Sequence, residues 1–171
     1  MKRVLITGLT GIVGSGLYSY LKEDDGYEII ALCREDSDVS YIRDKCIIEY
    51  GSMRDDDVLC ALCEKYSFDM LVHIAYKGEI ERYARLAKKY GIKEVILVSS
   101  TYSLSKKHPN NQQKLLENES CSILDSYNCK YSLILPTSIF GSRPNGTRDK
   151  NMSLFIRQIN RGLFPLFAQG G

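Results

Sequence analysis

Apolar positions along this chain follow two alternating rhythms. Short β-branched runs (Arg3 to Thr7, Glu28 to Cys33, Cys46 to Tyr50, Met70 to Ala75, Glu94 to Ser99 and Tyr131 to Pro136) are separated by longer stretches in which apolar residues recur at helical spacing. The runs predict six strands, and the intervals predict helices over Gly11 to Glu23, Asp55 to Tyr66, Ile80 to Tyr90 and Asn111 to Asp125. Strands regularly interleaved with helices form a parallel sheet, because each crossover helix returns the chain to the same end. The expected fold is therefore α/β, with helices on both faces of one parallel sheet.

Local punctuation agrees with these elements. Asp55, Asp56 and Asp57 put negative charge at the positive end of the second helix, so this acidic run is read as structural. Consecutive helical side chains diverge and could not converge on an ion. Gly91, just past Tyr90, suits the left-handed end of the third helix. Ser100 to Asn111 and Gly141 to Asn151, rich in Ser, Asn, Pro, Gly and charge, read as loops. There is no internal repeat.

The first strand runs directly into Gly8-x-x-Gly11-x-x-Gly14, and an amphipathic helix follows at once. A first glycine permits the tight turn, a second lets the backbone approach a diphosphate, and a third lets the helix pack close on the strand. The amino end of the helix then faces the phosphates. That context makes the sheet Rossmann-like and doubly wound, with strand order 3-2-1-4-5-6. The segment TGLTGIVG resembles the TGxxGxxG fingerprint of the extended short-chain dehydrogenase/reductase family, the NAD-dependent epimerases and dehydratases. Gly51-Ser-Met-Arg-Asp55 is similar to the family segment after the third strand, and Asp69-Met-Leu-Val-His-Ile-Ala75 to its DxVxHxAA fourth strand. Val98-Ser-Ser-Thr101 resembles the end of its fifth strand, and Tyr131 to Gly141 its sixth strand and RPxxvyG turn.

The resemblance implies a bound nicotinamide cofactor and a nucleotide-linked sugar as substrate. It places Gly8, Thr10, Gly11, Ile12, Val13 and Gly14 along the diphosphate, Ser52 and Met53 at the adenine, and Ala75, Tyr76, Pro136 and Ser138 beside the rest of the cofactor. Where a carboxylate at the end of the second strand would select NAD, this strand ends Leu32-Cys33-Arg34. Cys33 stands where the family often has aspartate, and Arg34 offers a guanidinium to a 2′-phosphate, so NADP is preferred over NAD. Glu35 and Asp36 are alternative ribose partners. His73, inside the fourth strand, is read as a core histidine.

Family chemistry calls for a tyrosine acid or base, a lysine that lowers its pKa, and a hydroxyl on the reacting oxygen. Thr101 matches the hydroxyl, with Ser99 and Ser100 as alternates. The tyrosine and lysine should form YxxxK on the fourth helix, but that helix reads Pro109-Asn-Asn-Gln-Gln-Lys-Leu-Leu-Glu117. If Lys114 is the family lysine, Asn110 holds the tyrosine position; in the neighbouring register the two positions are Pro109 and Gln113. Tyr102 with Lys106 is a YxxxK in the preceding loop and is a candidate relocated pair, whereas Tyr18 with Lys22 lies on the wrong helix.

Composition narrows the partners. At 171 residues, 44% hydrophobic and 26% charged, the chain suits one globular domain, and a net charge of +2 without long basic runs argues against nucleic acid. No stretch approaches a membrane span, and the apolar amino-terminal segment carries loop glycines rather than a signal cleavage site. Six irregularly spaced cysteines suit a reducing compartment, the cytoplasm. Cys60 and Cys63 form a CxxC without a second pair or nearby histidine, and no metal is expected. The chain stops where relatives continue, so a single dinucleotide-binding domain is expected with the substrate-binding portion largely absent, and the apolar tail Leu163 to Phe167 suggests a homodimer contact. Two functions stand open: an NAD(P)-dependent epimerase, dehydratase or reductase, or a cofactor-binding sensor without catalysis.

Overall fold

A computed structural model describes residues 1–75, 79–104, 112–137, 139–141 and 150–162. Six parallel strands, β1 (Lys2–Thr7), β2 (Tyr27–Cys33), β3 (Cys46–Tyr50), β4 (Met70–His73), β5 (Glu94–Val98) and β6 (Lys130–Ile134), form one sheet in the order β3-β2-β1-β4-β5-β6. This is the expected doubly wound order, with winding reversed between β1 and β4.

Strand alternation divides the core in two. Leu5, Ile30, Leu71, Val95 and Leu97 point to one face, where α2 (Asp56–Tyr66), α3 (Ile80–Tyr90) and α4 (Gln112–Asp125) cover them through Leu59, Tyr83, Ala84 and Leu124. Val4, Ile6, Ile29, Ala31 and Val72 point to the other, under Tyr18 of α1 (Ile12–Leu21). Successive side chains of a buried parallel strand must each find a covering layer, which explains why these runs are almost uninterruptedly apolar. The β2–β3 connection contains no helix. It is pinned instead by Val39 and Ile42, 4% and 0% exposed, with Ile42 N donating to Val39 O at 3.1 Å.

Helix ends follow their local chemistry. The Asp55 carboxylate caps α2 by accepting from Asp57 N and Val58 N, so the first aspartate of the acidic run satisfies helix-end donors as well as the dipole. Gly91 takes φ 68° at the end of α3. Several boundaries differ from the sequence expectation by one or two residues. β4 stops at His73, β5 at Val98 and β6 at Ile134, because the last residues of each run already turn into the connections above the sheet, and α1 stops at Leu21. Two further elements were not anticipated, a 3-10 turn at Thr101–Leu104 and helix α5 (Lys150–Asn160). α5 begins inside the polar run read as a loop, and that run masks its start. Among the described residues, no helix is long and apolar enough to cross a membrane.

Candidate functional site

Since all strands are parallel, their carboxyl ends lie along one edge, and the residues singled out in the sequence follow the strands there. The first is the turn after β1. Gly8 has φ 81°, and a Cβ there would stand 3.0 Å from Ala75 N, so both conformation and space favour glycine. A Cβ at Gly14 would lie 2.3 Å from Gly8 O and 2.4 Å from Leu9 Cα, both backbone atoms of a tight bend. Gly14 is thus what lets α1 start directly against the turn.

Gly11 is the cap of α1, and no side chain caps it. Its carbonyl accepts from Ser15 N at 2.8 Å, and its own N–H donates to Gly8 O at 3.0 Å. The first amides of a helix have no intrahelical acceptor, so those of Ile12 and Val13 mark the positive end of α1. This glycine cradle, with no side-chain cap on the helix, fits a bound diphosphate.

Beneath it lies a buried polar chain. Thr7 Oγ1 and His73 Nδ1 share a hydrogen bond of 2.6 Å, the His73 ring stacks on Tyr83 with centroids 3.8 Å apart, and the Tyr83 hydroxyl donates to Met53 O at 3.0 Å. Burial pushes the His73 pKa down to about 3 and raises that of Tyr83. Both rings are fully buried, so His73 is a core residue that links the glycine turn to Met53.

At the end of β2, Cys33 is buried and its thiol pKa is raised by burial, whereas Arg34 is exposed, with Nε 3.3 Å from Asp36 Oδ1. Ser52 is exposed, its hydroxyl accepting from Arg54 N at 3.2 Å, and Met53 is half-buried. Arg34 is accordingly the cation at this end that a ligand could reach.

Above β5 the arrangement departs from the expected catalytic set. Ser99 is buried; its hydroxyl donates to the Glu117 carboxylate and accepts from the Gln113 amide. Gln113 and Glu117, four apart, share one face of α4. Of the two registers read from the sequence, it is the one with Gln113 in the lysine position that faces Ser99, while Lys114 is exposed. Thr101 is half-buried, and its N–H donates to Pro136 O at 3.1 Å, joining the ends of β5 and β6. A Cβ at Gly141 would stand 3.6 Å from Ile12 Cγ2, which brings the connection after β6 back to the start of α1. Tyr76, Ser138, Lys106, Pro109, Asn110, the side chain of Tyr102 and the tail Leu163 to Phe167 lie outside the described residues.

Sequence reading missed the Glu117–Ser99–Gln113 cluster and a bond from the Tyr41 hydroxyl to Thr10 O at 2.8 Å. For the first a signal existed: Gln113, Glu117, Ser120 and Leu124 recur at helical spacing, but three of the four are polar, so the inward stripe did not look like one. For Tyr41 the sequence carries no signal.

Comparison with known proteins gives the following. Residues 4–98 match the model of a family described as the NAD dependent epimerase/dehydratase family. Among curated proteins none matches the chain in sequence. Solved structures of the same shape include Bordetella bronchiseptica WbmH in complex with NAD+, 17% identical with a TM-score of 0.71, covering 95% of this chain and 64% of that one. They also include Thermotoga maritima UDP-glucose 4-epimerase with UDP-glucose, 17% identical with a TM-score of 0.74, covering 98% and 66%. Thermus thermophilus UDP-glucose 4-epimerase in complex with NAD is 15% identical with a TM-score of 0.72, covering 96% and 64%. The chain thus spans less than two thirds of the length of each of these relatives.

Proposed function

The chain belongs to the NAD dependent epimerase/dehydratase family, and we propose that it binds a nicotinamide dinucleotide, NADP in preference to NAD, and acts as an epimerase, dehydratase or reductase on a nucleotide sugar. The observation that carries this reading is Gly14, where a Cβ would meet Gly8 O at 2.3 Å: helix and turn close on each other, and no side chain caps the helix start, whose amides suit a diphosphate. Cys33, Arg34, Ser52 and Met53 would receive the adenosine end, and Ala75, Tyr76, Pro136 and Ser138 the nicotinamide end. The nicotinamide, once bound, accepts and returns a hydride.

The preference for NADP rests on Arg34, which is exposed, and on the absence of a carboxylate at Cys33. Thr101 is the hydroxyl proposed to hold the reacting oxygen, because Ser99 already spends its hydrogen bonds on Glu117 and Gln113. Lys114 is proposed to reach the cofactor ribose from α4, and Tyr102 to serve as the acid or base. The solved UDP-glucose 4-epimerases of this shape support a nucleotide sugar as substrate. A reducing compartment, the cytoplasm, is proposed because all six cysteines are free thiols.

A second reading, cofactor binding without turnover, is favoured by one observation: the face of α4 turned toward β5 presents Gln113 and Glu117, an amide and an acid, rather than a tyrosine and a lysine. Calorimetric titration with NAD and NADP, followed by a turnover assay with UDP-glucose for Thr101→Val and Tyr102→Phe, separates the readings. Binding with turnover that both substitutions abolish supports an enzyme; binding with no turnover on any nucleotide sugar supports the second; no binding of either dinucleotide at millimolar concentration removes both.

A further inference from the structure

A direct polar tie joins the dinucleotide turn to the stretch that bears Arg34. The Tyr41 hydroxyl donates to Thr10 O at 2.8 Å. Thr10 O and Gly11 N belong to the same peptide unit, and Gly11 N donates to Gly8 O at 3.0 Å. A trans peptide is planar, with its carbonyl and its N–H pointing in opposite directions. This unit is therefore held at both poles, by Tyr41 on one side and Gly8 on the other, immediately before the first free amides of α1.

Tyr41 is itself placed independently of that bond. It sits in a tight turn where Ser40 N and Ser40 Oγ both donate to Asp38 Oδ1, at 3.1 and 2.7 Å, and where Val39 and Ile42 anchor the backbone in the core. Two buried neighbours fix the segment, and the hydroxyl is left to act on the glycine turn. Gly8, Gly11 and Gly14 carry no side chain that could hold their peptide planes, and glycine backbones have the most freedom to lose, so a bond to the Thr10 carbonyl adds a restraint to the buried Leu9 anchor of the turn.

We propose that Tyr41 is a positioning residue of the dinucleotide site: by fixing the Thr10–Gly11 peptide it keeps the amides of Ile12 and Val13 aimed at the diphosphate. This rests on the dinucleotide reading above. In this role Tyr41 acts through the backbone of Thr10. Its contribution is to pre-organise the turn, so its loss appears as affinity for the diphosphate and not for the adenosine end.

Tyr41→Phe keeps the ring and removes only the hydroxyl. Calorimetric titration of wild type and variant with NADP, NAD and adenosine 2′-monophosphate, the last reaching Arg34 without a diphosphate, tests the assignment. The expected result is NADP and NAD both weakened, roughly three- to tenfold, as befits one neutral hydrogen bond, with adenosine 2′-monophosphate unchanged. Equal affinity of variant and wild type for the dinucleotides overturns the proposal. So does an equal loss for all three ligands, or a variant that no longer melts cooperatively, since either assigns Tyr41 to the fold. A wild type that binds adenosine 2′-monophosphate but neither dinucleotide, or that binds nothing, removes the dinucleotide reading itself and this proposal with it.

Discussion

The hydroxyl of Ser99, at the end of β5, donates to the carboxylate of Glu117 on α4, and the two groups are only 1% and 5% exposed. A buried carboxylate is costly unless its oxygens find donors, and Ser99, itself held by Gln113, supplies one to Glu117 Oε1. Replacing Glu117 with leucine leaves the Ser99 hydroxyl proton without its acceptor, while Gln113 can still donate to Ser99 Oγ. We expect a loss of roughly 1–3 kcal/mol in unfolding free energy, read by urea denaturation, while Glu117→Gln, which can still accept from Ser99, loses less than half of that. Equal stability of the leucine variant would show that the cluster is not a stabilising one.

The glycine cradle makes a sharper prediction. At Gly14 the obstructing atoms are backbone, which cannot rotate away, so Gly14→Ala must push α1 off the turn. Dinucleotide affinity should fall at least tenfold, an energy of about 1.4 kcal/mol. Gly16, on the same helix, has nothing within 4 Å of its would-be Cβ, and Gly16→Ala should bind as wild type and melt slightly higher, as removal of a helical glycine predicts. Titration and thermal melts of the pair check this; comparable binding by both variants would refute the role given to Gly14.

How much of this was legible beforehand depends on which residues advertise their role. The central strands did so, because a strand buried on both faces must be apolar throughout, whereas β3 and β6 at the edges carry Glu49, Lys130 and Ser132 among their apolar residues; the order β3-β2-β1-β4-β5-β6 follows from the alternation and the first glycine turn. The turn was legible for the same reason that it is sterically forced at Gly8 and Gly14. The extent of α4 was legible but its inward face was not: Leu115, the kind of residue expected inside, is 59% exposed, and Glu117 takes the inward place. The inward choice is decided by Ser99, 18 residues away, and hydrophobic periodicity holds no information about such a partner. Tyr41 illustrates the same limit, since its bond to Thr10 spans 31 residues of a helix-free connection.

His73 should make stability depend on pH. Burial depresses its pKa from the ordinary 6.5 to about 3, so between these values the unfolded chain takes up a proton that the folded chain refuses. Stability is fully present above pH 6.5 and is lost as pH falls toward 3, at up to about 1.4 kcal/mol per pH unit. Glu49 and Glu94, whose pKa values are held below 4.5 by Lys65 and by Lys2 and Lys130, add to the loss only lower in the range. Urea denaturation between pH 6.5 and 5 therefore separates histidine titration from that of these carboxylates, and substitution at His73 assigns it. His73→Phe, which keeps a ring on Tyr83 but cannot titrate, should flatten the slope by close to one proton; an unchanged slope would mean that another group titrates on unfolding.

The roles proposed for Arg34 and Tyr41 fall on different halves of the ligand and can be told apart. Arg34 is exposed and held only by a 3.3 Å contact to Asp36, an ion pair at high dielectric that a 2′-phosphate can displace. Arg34→Ala should weaken NADP roughly tenfold, since hydrogen bonds to charged groups are worth more than neutral ones, and leave NAD nearly unchanged. The NADP effect should shrink in 0.5 M salt, where charges more than a few ångströms apart are screened. Asp36→Asn, which frees Arg34 from its present partner, should shift the ratio of affinities the other way, toward NADP. Tighter binding of NAD than NADP by the unaltered protein would reverse the assignment and point instead to Glu35 or Asp36 as the ribose partner.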